Sequence, residues 1–158
     1  SENDIKEILR RSAKLLGIEV QEEALTEIAK RSRFTPRIAN HKLKRCRDFA
    51  TVRGDGIISL AIAKTALELL DIDDAGLESE DRRILKILIE KFAGGPVGLG
   101  TLAAAASEEA STIEEIHEPY LLRLGFIERT PRGRIATTRA YEHLNLTPPA
   151  ENKSLFEQ

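Results

Sequence analysis

The sequence of 158 residues has no Trp, no Met and a single Cys, Cys46, and aromatic residues make up only 4% of it. One thiol excludes a disulfide framework within the chain and is too few for a cysteine-based zinc site, which favours a reducing compartment. No apolar run approaches the roughly 18 residues that a membrane helix needs, and the N-terminal residues lack the pattern of a signal peptide. We therefore expect a cytoplasmic protein without a membrane partner. The missing initiator Met predicts a piece of a longer chain.

The sequence also lacks the residue patterns of a catalytic or metal site. No Gly is followed by Lys, so the chain contains no phosphate-binding loop of the G-x-x-x-x-G-K-[ST] type. His41, His117 and His143 are far apart and have no partner at ligand spacing, which predicts surface or capping histidines. Cys46 falls on the buried stripe of a predicted helix, where a thiol usually packs and does not react. We expect no catalytic residue and no metal-binding residue here.

Charge is unevenly distributed along the chain, although the formal net charge is only −2. Residues 30–53 contain nine basic residues and one acidic residue, whereas residues 71–81 contain six acidic residues and no basic one. The acidic segment is the best candidate for an internal boundary. We predict a first domain over residues 1–76, a second over residues 77–147 and a disordered tail over residues 148–158.

The first domain is predicted to be a small unit of four helices. Apolar residues at three- and four-residue spacing predict helices over residues 5–16, 24–29 and 60–70, and a further helix that begins after Thr35. Gly17 is placed to end the first helix, and Pro36 suits the first position of the third because its missing N–H costs nothing there. The predicted buried stripe of the third helix is Ala39, Leu43, Cys46 and Ala50.

The second domain has the element order of a winged helix. Helices are predicted over residues 81–92, 101–106 and 113–124, and two strands of a β-hairpin over residues 126–129 and 134–137. Ser111 and Glu114 have the spacing of a capping box at the start of the third helix, and Pro119 predicts a kink inside it. Ile113, Ile116, Tyr120 and Leu124 are the predicted apolar residues of that helix. The predicted fold class is therefore mainly α, a four-helix unit followed by a winged helix with one β-hairpin wing.

Arg37 is a candidate anion-binding residue. It lies one residue past the Pro that begins the third helix, where free backbone N–H groups and the positive end of the helix dipole favour anions. A guanidinium adds a fork of donors that matches phosphate oxygens. An exposed arginine on a basic helix is the alternative interpretation.

The predicted wing is a candidate DNA-binding element because it contains Arg129, Arg132 and Arg134, with Arg139 close behind. The preceding helix carries Glu114, Glu115 and Glu118 against Arg123 alone, so that face should repel phosphates and cannot read base edges. Any DNA contact should therefore use the wing and be independent of sequence. Two alternatives remain: an ordinary solvated turn, and a protein-interaction module that docks a partner through its acidic helix and binds no nucleic acid.

Several segments resemble one family of bacterial motor proteins. Residues 32–40 (SRFTPRIAN) resemble the segment that carries the sensor-2 arginine of the RuvB family of AAA+ ATPases, which drive Holliday junction branch migration. Residues 94–99 (GGPVGL), 118–121 (EPYL) and 129–134 (RTPRGR) resemble signatures of that family's C-terminal domain. The resemblance runs in order from residue 3 to residue 144. The family pattern has Gly where this chain has Phe34 and Ser107, and Arg-Leu where it has His41-Lys42.

The resemblance implies a helical AAA+ lid over residues 1–76 and a DNA-binding winged helix over residues 77–147. It implies that Arg37 reaches the phosphates of ATP, with Mg²⁺, bound mainly by a P-loop domain that this sequence lacks. It implies that Arg129 and Arg134, with Arg132 beside them, contact DNA. The intact protein would be a hexameric helicase on duplex DNA and Holliday junctions, loaded by a RuvA-like partner. This chain alone should be an inactive monomer.

Overall fold

The structure divides the chain into two units. The first, Ser1–Ser79, contains helices α1 to α4, and the second begins at Glu80. The structure is a computed structural model and describes residues 1–149. The helices are α1 (Glu2–Leu16), α2 (Glu22–Lys30), α3 (Pro36–Arg53) and α4 (Leu60–Leu69). All four were predicted from apolar spacing, and α4 ends one residue earlier than expected.

Local signals at the helix ends explain these bounds. Gly17 ends α1 with φ at 68°, a left-handed conformation that glycine adopts without steric cost. Thr35 is extended and precedes Pro36, the first residue of α3, although its side chain makes no capping hydrogen bond. The Ser59 hydroxyl accepts from the backbone N–H of Ile62 at 3.2 Å and caps α4.

The core of the first unit contains the predicted stripe of α3. Ala39, Leu43, Cys46 and Ala50 are fully buried. They belong to one cluster with apolar residues of the other three helices, among them Leu9, Leu25, Ile28 and Leu67. Burial raises the pKa of the Cys46 thiol to about 12, so the thiol stays protonated and acts as packing.

The second unit has the order of a winged helix, with one interruption. Its helical elements are α5 (Ser79–Phe92), α6 (Leu99–Ala106), α7 (Ala110–Thr112), a π-helical turn (Ile113–His117), α8 (Glu118–Arg123) and, after the hairpin, α9 (Thr138–His143). The buried apolar residues include Ile84, Leu85, Leu88, Ile113 and Leu121. Within residues 1–149, no helix is long and apolar enough to span a bilayer.

The start of the third helix corrects the predicted capping box. The helix begins at Ala110, after the extended residue Glu109, so Ser111 lies inside the first turn and cannot cap it. The predicted kink is a π-helical turn that ends just before Pro119. Proline has no N–H and its ring crowds the preceding turn, and a widened turn relieves both constraints.

The π-helical turn changes which side chains face the core. Ile116, predicted as an apolar core position, is 59% exposed, whereas His117 and Glu118 are buried. His117 was predicted as a surface or capping residue; that was wrong, because its Nδ1 lies 2.7 Å from the Oδ1 of the fully buried Asp81. An extra residue in the turn rotates the following side chains around the helix axis, which a regular 3.6-residue period does not anticipate.

The wing is an antiparallel hairpin of β1 (Ile127–Thr130) and β2 (Gly133–Ala136). A third segment joins it, because Val97 forms an antiparallel bridge with Arg134. Each predicted strand is shifted by one residue. Most of the predicted disordered tail, from residue 150 onward, lies outside the described residues.

Candidate nucleic-acid interface and anion-binding cleft

The hairpin register puts two of the wing arginines directly opposite each other. Arg129 pairs with Arg134, and Thr130 pairs with Gly133 at the turn. Directly opposite residues of an antiparallel pair have side chains on the same face, and like charges there repel. The wing therefore needs an anion between these two guanidinium groups.

Glu118, the first residue of α8, supplies that anion. Its Oε1 accepts from Arg129 Nε at 2.5 Å and from Arg134 Nη2 at 3.2 Å, and its Oε2 accepts from Arg134 Nε at 2.8 Å. Arg129 Nη2 also forms an ion pair with Oε1. The carboxylate is fully buried, while the side chains of Arg129 and Arg134 are 51% and 18% exposed. Both arginines thus use the same edge, Nε and Nη2, to bind one buried carboxylate.

The charge state of Glu118 follows from these contacts. Burial alone would raise its pKa, but the hydrogen bonds from Arg134 and Arg129 outweigh burial and hold the pKa below its usual value. The same contact raises the pKa of Arg134. Glu118 is therefore ionised at neutral pH, and together with the two guanidinium groups it forms a cluster with a net charge of one positive unit.

The segment before α6 fixes the backbone of Arg134. Val97 and Arg134 exchange two backbone hydrogen bonds, at 3.0 and 2.7 Å. Gly95 and Gly133 have positive φ, and a Cβ at Gly95 would collide with the Arg134 carbonyl while one at Gly133 would collide with the Val97 carbonyl. Only glycine permits this approach, so the GGPVGL segment supports the strand that carries Arg134.

The other two basic residues of the predicted cluster do not belong to the group of arginines that Glu118 binds. Arg132 is exposed at the tip of the hairpin, where its backbone N–H donates to the Thr130 hydroxyl at 3.2 Å. Arg139 is exposed on α9 and does not belong to the hairpin. The Nη1 groups of Arg129 and Arg134 have no hydrogen-bond partner among residues 1–149.

The acidic face of the third helix is smaller than predicted. Glu114 and Glu115 are exposed, but Glu118 is buried and neutralises wing arginines, so it does not repel phosphates at the surface. The prediction for Glu118 was wrong because the π-helical turn that precedes it turns its side chain towards the wing, and the expected kink at Pro119 did not indicate this burial. Two carboxylates remain exposed on that face.

Arg37 lines a cleft in the first unit. The cleft has a volume of about 650 Å³, and its lining includes residues at the start of α3 together with residues that follow α4. Its charged and polar lining residues are Thr35, Arg37, His41, Lys42, Glu78 and Ser79. Arg37 is exposed, and within the described residues no hydrogen bond or ion pair holds its guanidinium. No group of three His, Cys, Asp or Glu side chains in the described part of the chain could hold a metal ion.

Two positions where the chain departs from the family pattern have left-handed backbones. Phe34 has φ at 56°, just before the α3 N-cap, and Ser107 has φ at 51° at the end of α6. Glycine adopts this conformation freely, whereas other residues pay a steric cost. The glycine expected at each position therefore has a backbone reason, and this chain accommodates larger residues there.

Buried charges are the features of the fold that sequence reasoning missed. Arg31 and Lys42 belong to the basic segment but are 2% exposed: Arg31 binds Glu27 and the Ile72 carbonyl, and the Lys42 ammonium donates to the Arg31 carbonyl. These two side chains are not available to a polyanion. Among the described residues of the second unit, the buried charged side chains include Asp81 and Glu118.

Comparison with known families agrees with this architecture. The RuvB AAA lid domain matches residues 1–73, and the RuvB C-terminal winged helix domain matches residues 74–145. The chain belongs to the RuvB family. It is 54% identical over 159 residues to the Holliday junction branch migration complex subunit RuvB of Chloroflexus aurantiacus, covering 98% of this chain and 45% of that protein.

Two further RuvB proteins give the same result. The RuvB subunit of Mycolicibacterium gilvum is 56% identical over 147 residues, which cover 93% of this chain and 41% of that protein. The solved structure of the Thermotoga maritima RuvB Holliday junction branch migration motor superposes with a TM-score of 0.92 at 50% identity, covering 94% of this chain and 50% of that one. The chain thus spans half or less of the RuvB proteins that it matches. These relatives do not favour the alternative of an interaction module that binds no nucleic acid.

Proposed function

We propose that this chain is the lid and DNA-binding wing of an ATP-driven motor that moves Holliday junctions during DNA recombination and repair. The RuvB family membership supports the motor class. The observation that carries the role of the chain is the wing, where two arginines share one buried carboxylate and keep their Nη1 groups unbonded among the described residues. In this proposal the wing binds the phosphates of duplex DNA.

The wing binds DNA independently of base sequence. Arg129, Arg132 and Arg134 suit phosphate contacts, which position a protein without reading bases. The exposed carboxylates of Glu114 and Glu115 make the preceding helix a poor element for the negatively charged major groove. A motor that passes along any duplex needs this property, whereas a transcription regulator does not.

The lid contributes Arg37 to a nucleotide site that it does not complete. Its guanidinium lies at the start of α3, on the wall of the cleft, with no partner among residues 1–149. ATP with Mg²⁺ would be bound mainly by a P-loop domain of the intact protein, and Arg37 would contact the phosphates from the lid. Hydrolysis would then be coupled to movement of the lid, and this chain alone would be inactive.

The assembly and partners are part of the same proposal. The intact protein forms a homohexameric ring around duplex DNA and works at Holliday junctions with a junction-binding partner of the RuvA type. A ring multiplies weak phosphate contacts, because the second and later contacts are intramolecular. Weak DNA binding by the single chain, which we expect to be a monomer, is therefore sufficient for a ring to bind DNA.

Fluorescence anisotropy of the chain with two labelled duplexes of unrelated sequence tests the wing assignment. We expect equal affinities for both duplexes and a steep decrease in affinity with salt. The Arg129→Ala/Arg134→Ala variant should lose affinity for both and flatten the salt slope by about 0.9 per phosphate contact removed.

The matched control is Arg82→Ala/Arg123→Ala, which removes the same charge from helices of the same unit. Unchanged binding in the wing variant would show that the wing is not the contact surface. Binding that does not depend on salt would contradict DNA binding through phosphates, and a strong preference for one duplex would indicate a regulator.

A further inference from the structure

The buried carboxylate of Glu118 is the only described anion that contacts both strands of the wing through side chains. It lies on α8, so it connects the third helix of the winged helix to β1 and β2. Neither a solvated turn nor a plain basic patch requires a buried carboxylate under its arginines. A role in DNA binding would explain why a carboxylate is buried under these arginines.

We propose that Glu118 is a positioning residue for DNA phosphates: it holds Arg129 and Arg134 by their Nε and Nη2 atoms and leaves their Nη1 edges to the ligand. This inference rests on the proposed function, because it needs a wing that binds DNA. Arg129, with a side chain 51% exposed, is the main phosphate contact. Arg134, 18% exposed and fixed by Val97, is the inner anchor.

Two effects of the carboxylate on DNA binding oppose each other. Its negative charge lowers the attraction of the wing for phosphate. Its hydrogen bonds, however, hold two long side chains that otherwise repel and lose rotamer freedom when they bind. The exposed side of Arg129 is in water, where Coulomb repulsion from a carboxylate behind it is screened, whereas the geometric restraint acts at full strength. Positioning therefore dominates, and Glu118 increases affinity for a polyanion despite its charge.

The direction in which one substitution changes the affinity for DNA distinguishes the two effects. Glu118→Gln removes the charge and turns one acceptor into a donor that opposes the arginines. Charge counting predicts tighter DNA binding and positioning predicts weaker binding, by about tenfold if one charge-assisted phosphate contact is lost. The matched control is Glu115→Gln, an exposed carboxylate of the same helix region, which should bind DNA slightly more tightly than the unmodified chain.

A second variant changes the geometry and keeps the charge. Glu118→Asp withdraws the carboxylate from the guanidinium groups by one methylene, so any loss of DNA affinity comes from position alone. Arg129→Lys tests the same contact in a chain with Glu118 intact. A lysine preserves the charge but has no second edge to offer a phosphate, so positioning predicts that it does not restore the affinity lost in Arg129→Ala.

All variants are measured by anisotropy as full chains at a temperature where tyrosine fluorescence shows the second unit to be folded. The expected result is weaker binding and a flatter salt slope in Glu118→Gln, Glu118→Asp and Arg129→Lys, with no such loss in Glu115→Gln. In the Arg129→Ala background, Glu118→Gln should have almost no further effect. The inference is overturned if folded Glu118 variants bind as tightly as the unmodified chain or more tightly, or, should neither fold, if Arg129→Lys restores full affinity. If the unmodified chain does not bind DNA at all, the proposed function fails instead.

Discussion

Each unit of this chain contains a glutamate that binds two basic side chains. The glutamate of the first unit is exposed, and the glutamate of the second unit is buried. Glu22 on α2 accepts from Arg10 at 3.1 and 2.8 Å and pairs with Lys6 at 3.2 Å, and its side chain is 59% exposed. Glu118 makes equivalent contacts with Arg129 and Arg134 but is fully buried. The comparison separates an ion cluster that decorates a surface from one that determines a structure.

The pKa values of the two carboxyls move in the same direction for different reasons. Hydrogen bonds from Arg10 and Lys6 lower the pKa of Glu22 to about 2, with little opposition from burial. At Glu118, burial acts first and raises the pKa, and the two arginines must overcome it to leave the pKa below its usual value. Water can replace the partners of Glu22 but not those of Glu118. Removing a partner should therefore matter little in the first unit and much in the second.

Replacing each glutamate by alanine is the strongest test of this difference. Glu118→Ala leaves two opposed guanidinium groups with no anion between them, and we expect it to lower the free energy of unfolding of the second unit by about 3 kcal/mol. Glu22→Ala should change the unfolding midpoint of the first unit only slightly, because exposed pairs contribute little.

The chain itself supplies the probe for this measurement. Its only tyrosines, Tyr120 and Tyr141, are buried in the second unit, and it has no tryptophan. Tyrosine fluorescence in a urea titration therefore follows the second unit, and far-UV circular dichroism follows both. Equal effects of the two substitutions on their own units would contradict the comparison.

Lowering the pH should show the same difference between Glu118 and Glu22, with a smaller change in the free energy of unfolding. The folded pKa of Glu118 lies below its unfolded value, so its contribution to stability is complete above about pH 4.3 and is lost as the pH falls through the folded pKa. The stability difference between the unmodified chain and Glu118→Gln should therefore shrink as the pH is lowered below about 4.3. Tyrosine-detected urea titrations at successive pH values measure it.

The control for the acid experiment is Glu22→Gln. Its difference from the unmodified chain should be small at every pH, because the Glu22 side chain is 59% exposed and water screens its contacts with Arg10 and Lys6. A Glu118→Gln difference that grows with acid would mean that the carboxylate is not stabilised by the arginines in the folded chain.

Sequence reasoning predicted the helices and failed at the buried charges, and the reason is the range of the interactions. The α3 stripe and the Gly17 stop depend on residues within a few positions, and period and capping chemistry reveal them. Glu118 binds arginines 11 and 16 positions away, after a π-helical turn that no regular period contains. The dipeptide Glu118-Pro119 inside an apolar helix was the available signal, since a carboxylate just before a helix-breaking residue marks a special turn.

The sequence likewise predicted one part of the candidate site and missed another part. The element order alone placed Arg129 and Arg134 on a hairpin, and Pro36 placed Arg37 at a helix start. Which edge of each arginine remains open follows from the fold, because Glu118, distant in sequence, occupies the Nε and Nη2 atoms of both. DNA and nucleotide contacts of these residues stay predictions.

The most direct test of the wing is an NMR titration of the arginine Nε–Hε signals with duplex DNA. Arg129→Lys and Arg134→Lys identify the two signals of interest by their loss. Both protons should exchange slowly with water in the free chain because they donate to Glu118, and added duplex should shift the Arg129 signal while that protection persists. Shifts confined to other arginines, or release of both protons on DNA binding, would contradict a wing that is held by Glu118 and offered to phosphate.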